Sequence, residues 1–103
     1  MKTIKEIAKK AGFECEADRH GCYTDYMLKK GNRVLRIEYT APRKNLIPGY
    51  LFMANGPINH NIPGAENFVW EKPAKYGMTH ALVSNGNWLY LTIEQVETLI
   101  NMN

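Results

Sequence analysis

The sequence predicts an α+β fold: an N-terminal helix, a three-stranded antiparallel meander, a long loop, a second β-hairpin and a C-terminal helix, with both helices packed on one face of a single sheet. Three observations carry this prediction. "TIKEIAKKAG" and "TIEQVETLI" place apolar residues at helical spacing behind a threonine suited to capping. Much of the chain between them alternates at period two, and "HALVSNGNWLYL" has Asn85-Gly86 at its centre. With 103 residues and 45% hydrophobic content, the chain can bury one core, so residues 1–103 are read as a single compact domain.

Each element has a local reason. In the first helix Thr3 can cap and Glu6 can complete a capping box, while Ile4, Ile7, Ala8 and Ala11 form the buried stripe. Gly12 stands where a left-handed stop is wanted. The last helix repeats the grammar with Thr92 and Gln95 as box and Ile93, Val96, Leu99 and Ile100 as stripe. "FECEAD" alternates Phe13, Cys15 and Ala17 with three acids, the pattern of a strand buried on one face. "RHGC" reads as a turn. "YTDYML" and "RVLRIEYT" flank "KKGN" as a hairpin, with Leu35, Ile37 and Tyr39 facing away from Arg36, Glu38 and Thr40. "YLFMA" reads as a short strand. The Asn-Gly turn sets Val83 opposite Trp88 and Ala81 opposite Tyr90, and both faces of that hairpin are largely apolar, as a central or covered hairpin requires. Residues 55 to 67, "NGPINHNIPGAEN", form the long loop, of a kind that often carries function.

Composition excludes several classes. Two cysteines, Cys15 and Cys22, are too few for a disulfide framework. No apolar run approaches the roughly 20 residues of a membrane span, and lysines interrupt the N-terminal apolar positions that a signal peptide would need. The expectation is therefore a cytoplasmic protein with no membrane partner. The net charge of +3 is unevenly placed. Residues 1 to 46 hold eleven cations and six acids, net +5; residues 47 to 103 hold two cations and four acids, net −2. A basic half suits nucleic acid or an acidic protein surface; ordinary solvated faces give the same pattern.

Two resemblances bear on function. "TIKEIAKKAG" resembles the first helix of the helix-turn-helix in lactose-repressor-type proteins. The segment after Gly12 nevertheless alternates at period two and bears three acids where a recognition helix would meet DNA. That reading is rejected. "KKAGFE" followed by "GNRVLRI" is similar to the start of HicA-type RNA-cleaving toxins. The resemblance implies an α-β-β-β-α order of double-stranded-RNA-binding type. Its catalytic histidine would follow the glycine of the first turn, but Gly21 precedes Cys22 and Tyr23 instead. His20 lies just before that glycine.

No other motif defines a reaction. Cys15, His20 and Cys22 have a spacing unlike structural zinc sites, and Cys15 falls on the buried face, so no metal is assigned. Neighbouring turn residues such as His20 and Cys22 rarely aim at one substrate atom, and Ser84 only flanks a turn. His80, on an apolar strand face, reads as a core histidine. His60, between Asn59 and Asn61 in the long loop, could serve acid–base chemistry or read a polar edge; the alternative is a loop that anchors by Ile58 and Ile62.

Lys29, Lys30 and Arg33 at the hairpin tip, continuing to Arg36, Arg43 and Lys44, form the candidate basic patch, with Tyr23, Tyr26, Tyr39 and Tyr50 near for stacking. Lysines also guard strand ends against unwanted pairing. The expectation is a non-catalytic binding or inhibitor module without a cofactor. It would engage a protein or nucleic acid through Lys29, Lys30, Arg33, Arg36, Arg43, Lys44, Asn59, His60 and Asn61. Ten asparagines and the excess of lysine over arginine fit an AT-rich gene, such as a regulator carried by a virus or mobile element. The alternative is a small RNase using His60 or His20.

Overall fold

The computed structural model describes residues 3–40, 49–55, 69–71, 80–84, 87–88 and 90–103, with only the backbone for 69–71, 80–84 and 87–88. Helix α1 (Ile4–Lys10) leads into β1 (Glu14–His20), β2 (Tyr23–Lys30), β3 (Arg33–Thr40) and β4 (Gly49–Asn55). Three further strands, β5 (Val69–Glu71), β6 (His80–Ser84) and β7 (Asn87–Trp88), precede helix α2 (Ile93–Met102). The class is α+β: two helices and an antiparallel sheet whose first four strands lie side by side in chain order. Beyond β4 the order continues β6 then β5, and β7 pairs with β6.

Both helices start as their sequences dictate. The Thr3 hydroxyl accepts from the Glu6 N–H and donates to the Glu6 carboxylate. At Thr92 the capping box is complete: its side chain accepts from the Gln95 N–H, and the Gln95 side chain accepts from the Thr92 N–H. Gly12, at φ +88°, turns the chain from α1 into β1 in a conformation that a side chain would strain.

Strand register decides which residues share a face. Cross-strand pairs Leu28↔Leu35 and Ile37↔Phe52 put these four side chains together. They form one core with Ile4, Ile7 and Ala8 of α1 and Val96, Leu99 and Ile100 of α2. Both helices thus close the same face of β2, β3 and β4. Burying a side chain of this size stabilises by about 1.5–3 kcal/mol.

Two expectations change in detail. The turn between the first two strands is only Gly21 and Cys22, with Arg19 and His20 still paired in β1. The alternating burial of "FECEAD" also stops early: Phe13 is buried and Cys15 half-buried, but Ala17 is exposed. Seven helical residues span only about 10 Å, so α1 covers the start of β1 and not its end. In the second hairpin Val83 does face Trp88, and β6 lies inside the sheet between β4 and β5. Asn85, Gly86 and residues 56–68 lie outside the described residues.

Candidate functional site

The first surface is the end of the sheet where β2 turns into β3 through Gly31 and Asn32. Lys29 and Lys30 are exposed there, and α1 delivers its exposed Lys9 and Lys10 to the same end. The join is made by Lys30, whose Nζ donates to the Ala11 carbonyl at 3.2 Å and sits 4.4 Å from the centre of the Phe13 ring. That carbonyl follows the last turn of α1, where the helix dipole favours a cation. Arg33 is half-buried and donates to the Asn103 side-chain oxygen just past α2. Hence Lys30 and Arg33 fasten the hairpin to the two helices, while Lys9, Lys10 and Lys29 face solvent.

Arg36 belongs elsewhere. It sits on the opposite sheet face and donates to the Asp25 carboxylate at 2.8 Å, with both side chains mostly buried. The register places Asp18 opposite Asp25 and Asp25 opposite Glu38, so three carboxylates cross β1, β2 and β3 in one row. Like charges in such positions repel, and Arg36 on the neighbouring row offsets part of that cost. His20 adds a second nitrogen: its Nε2 lies 2.9 Å from Asp18 and 3.8 Å from Asp25. Its ring stacks on Tyr23 with centroids 5.1 Å apart. Asp18, His20, Tyr23, Asp25 and Arg36 line a cleft of about 660 Å³ that Glu16, Met27 and Lys29 extend along the sheet.

Cys15 and Tyr50 face the helix side. Burial pushes the Cys15 thiol above its ordinary pKa, with Glu16 adding to the rise and Lys5 opposing it. Burial likewise raises the Tyr50 phenol, helped by Tyr39, Tyr26 and Glu94. Tyr39 and Tyr50 pair across β3 and β4 at 4.8 Å between centroids. Cys15 and His20 point to opposite faces of β1, so the pair does not converge on one point. Among the described residues no three His, Cys, Asp or Glu side chains are placed to hold a metal.

The candidate patch therefore separates. Lys29, Lys30 and Arg33 cluster at the hairpin end, Arg36 is drawn into the acidic cleft, and Arg43, Lys44, Asn59, His60 and Asn61 lie outside the described residues. The acids Asp18, Asp25 and Glu38 were not among the sequence candidates. The alternation of Glu14, Glu16 and Asp18 puts acids on one face of β1, but only the register reveals the row they join. No protein-family model, curated protein or solved structure matches the chain. No helix of the described residues is long and apolar enough to cross a membrane.

Proposed function

We propose that the chain is a non-catalytic binding module that engages a polyanionic partner, a nucleic acid or an acidic protein surface, through its basic hairpin end. One observation carries the reading: Lys9, Lys10 and Lys29 are exposed at an end of the sheet that Lys30 ties together. Three cations on one rigid end attract a run of negative charge, and each phosphate neutralised by such a cation releases counterions. The half-buried Tyr26 and Tyr39 lie further along the same strands, and the expected loop contacts of Asn59, His60 and Asn61 would add to this surface. In this reading the module works in the cytoplasm, where its free thiols Cys15 and Cys22 stay reduced, as a regulator of viral or mobile-element type.

The test is fluorescence anisotropy with labelled RNA, labelled duplex DNA and labelled polyglutamate across a salt series. Changing Lys9, Lys10 and Lys29 to glutamate is expected to abolish binding at moderate salt without unfolding the chain, because all three are exposed. Retention unaltered by the triple change would sink the proposal, and the preferred probe names the partner class.

A second reading, a small RNase akin to HicA-type toxins, is favoured by the short contact between His20 and Asp18 in a cleft that also holds Arg36. A carboxylate that orients a histidine is a recurrent acid–base arrangement. The row of acids beside it, however, opposes an RNA phosphate. Incubation with labelled RNA, comparing His20→Ala and His60→Ala, decides: cleavage that never appears, or persists in both variants, removes this reading.

A further inference from the structure

We propose that β1 and the cleft beside it receive an extended, arginine-bearing segment of a partner protein, which adds to β1 as a further strand and seats a guanidinium against Asp18, Asp25 and Tyr23. This surface meets the basic hairpin end at Lys29, which also lines the cleft, and differs from it by the acids Glu16, Asp18 and Asp25.

The first support is the edge itself. Among the described residues strand β1 pairs only with β2, and six of its seven residues are exposed. Its pairing with β2 runs unbroken from Glu14↔Lys29 to His20↔Tyr23, without a bulge or a proline. Outward-facing backbone groups on such an edge are a template for another strand unless something blunts them. On the cleft side β1 presents three acids, Glu14, Glu16 and Asp18, followed by His20 at its end. The acids discourage a second copy, since antiparallel pairing centred on Ala17 would set Glu16 of one chain opposite Asp18 of the other. They do not discourage a basic strand, which they attract.

The second support lies inside the cleft. Asp25 is only 9% exposed, and its Oδ1 has no hydrogen-bond donor among the described residues. The Glu38 Oε2, next in the row, is also buried without one. A buried carboxylate oxygen without a donor is desolvated at a cost, which an incoming donor to this row of acids reduces. A donor approaching from the edge meets Asp18 first and Asp25 behind it; His20 Nε2 sits 2.9 Å from Asp18 and 3.8 Å from Asp25 Oδ2, the oxygen that Arg36 holds.

The chemistry of the occupant follows. A guanidinium carries five donors in one plane, can divide them between two carboxylates and stacks on aromatic rings, of which the Tyr23–His20 pair offers two. An ammonium supplies the charge without the stacking plane. A nucleic acid would meet the acids with its phosphates and is repelled.

The experiment uses the isotope-labelled full chain and a synthetic seven-residue peptide of alternating arginine and threonine, matched to the length of β1. Amide shifts are expected to concentrate on residues 14–20, Tyr23 and Asp25, with saturable binding by calorimetry. Asp18→Asn, an exposed change that spares the core, should weaken binding about tenfold. Tyr23→Leu should weaken it further for the arginine peptide than for its lysine counterpart. The proposal is overturned if the arginine peptide does not saturate, if glutamate in place of arginine binds equally, or if both variants leave affinity unchanged. It is equally overturned if shifts gather away from β1, or if sedimentation shows two copies of the chain paired through β1.

Discussion

The two faces of the four-stranded sheet are built from alternate residues of the same strands, yet they are chemically opposite. On one, Leu28, Leu35, Ile37 and Phe52 are fully buried under the two helices. On the other, Asp18, Asp25 and Glu38 form a charged row held by Arg36. A one-residue slip in register would exchange the faces, so the apolar face fixes the register and thereby sets the charged row. Strand β4 marks the limit of this division: Leu51 and Met53 are buried on the charged side as well, and among the described side chains the ionic surface is confined to β1, β2 and β3. The larger apolar core thus lies on one face, and the ionic groups of β1, β2 and β3 lie on the other.

The comparison breaks most directly at Phe52. Its side chain is fully buried at the centre of the helix-side core, so Phe52→Ala is expected to cost about 3–5 kcal/mol in urea unfolding. Glu16→Gln on the exposed charged side should stay within about 0.5 kcal/mol of the parent. Equal costs at the two positions would mean that the division of labour between the faces is wrong.

A smaller effect tests the charged face itself. Arg36→Leu removes a partner of a mostly buried carboxylate and should destabilise by about 2 kcal/mol. Asp25→Leu in the same chain should recover part of that loss, because no uncompensated charge is then left behind. A double variant whose loss equals the sum of the two single losses would show that the pair is not coupled.

Much of the helix face was legible in the sequence, because its signals are local. Capping threonines, the stripe Ile4, Ile7, Ala8 and the alternation of Leu35, Ile37 and Tyr39 each declare burial within a few residues. The charged row was not legible, because Asp18, Asp25 and Glu38 are far apart in the chain and meet only through two successive registers. Arg36 shows the same limit. Counted along the chain, it extends the basic run from Arg33; in space, strand alternation and Asp25 carry it to the opposite face. Lys30 is the converse case, an exposed residue whose contacts to Ala11 and Phe13 come from the end of α1 and the turn after it, far back in the chain. Local pattern fixes what is buried, whereas the meeting of polar groups depends on pairing that single-sequence patterns leave open.

A cap gives the next step down in size. Thr92→Ala removes the acceptor for the Gln95 N–H and should cost about 1 kcal/mol, read as a lower urea midpoint with unchanged slope. Thr92→Ser should restore nearly all of it, since the hydroxyl is what the helix start requires. A serine variant as unstable as the alanine one would place the role of Thr92 in its methyl group.

The weakest expected effect is alkaline, and it belongs to the helix face alone. Cys15 and Tyr50 both have folded-state pKa values raised above their ordinary 9.0 and 10.0, chiefly by burial. A group raised in this way keeps its proton longer in the folded chain than in the unfolded one. Its contribution is therefore complete below the unfolded value and is lost as pH rises through the folded value. Stability should be flat near neutrality with respect to these two groups and then decline from about pH 9 upward. Cys15→Ala should remove the earlier part of that decline and Tyr50→Phe the later part, each measured by urea unfolding along a pH series. Since both side chains are only partly buried, each change should be modest, and neither should alter arginine-peptide binding at neutral pH on the other side of the sheet. Coupling between the two faces would appear as an alkaline decline that follows Asp18→Asn instead of Cys15→Ala.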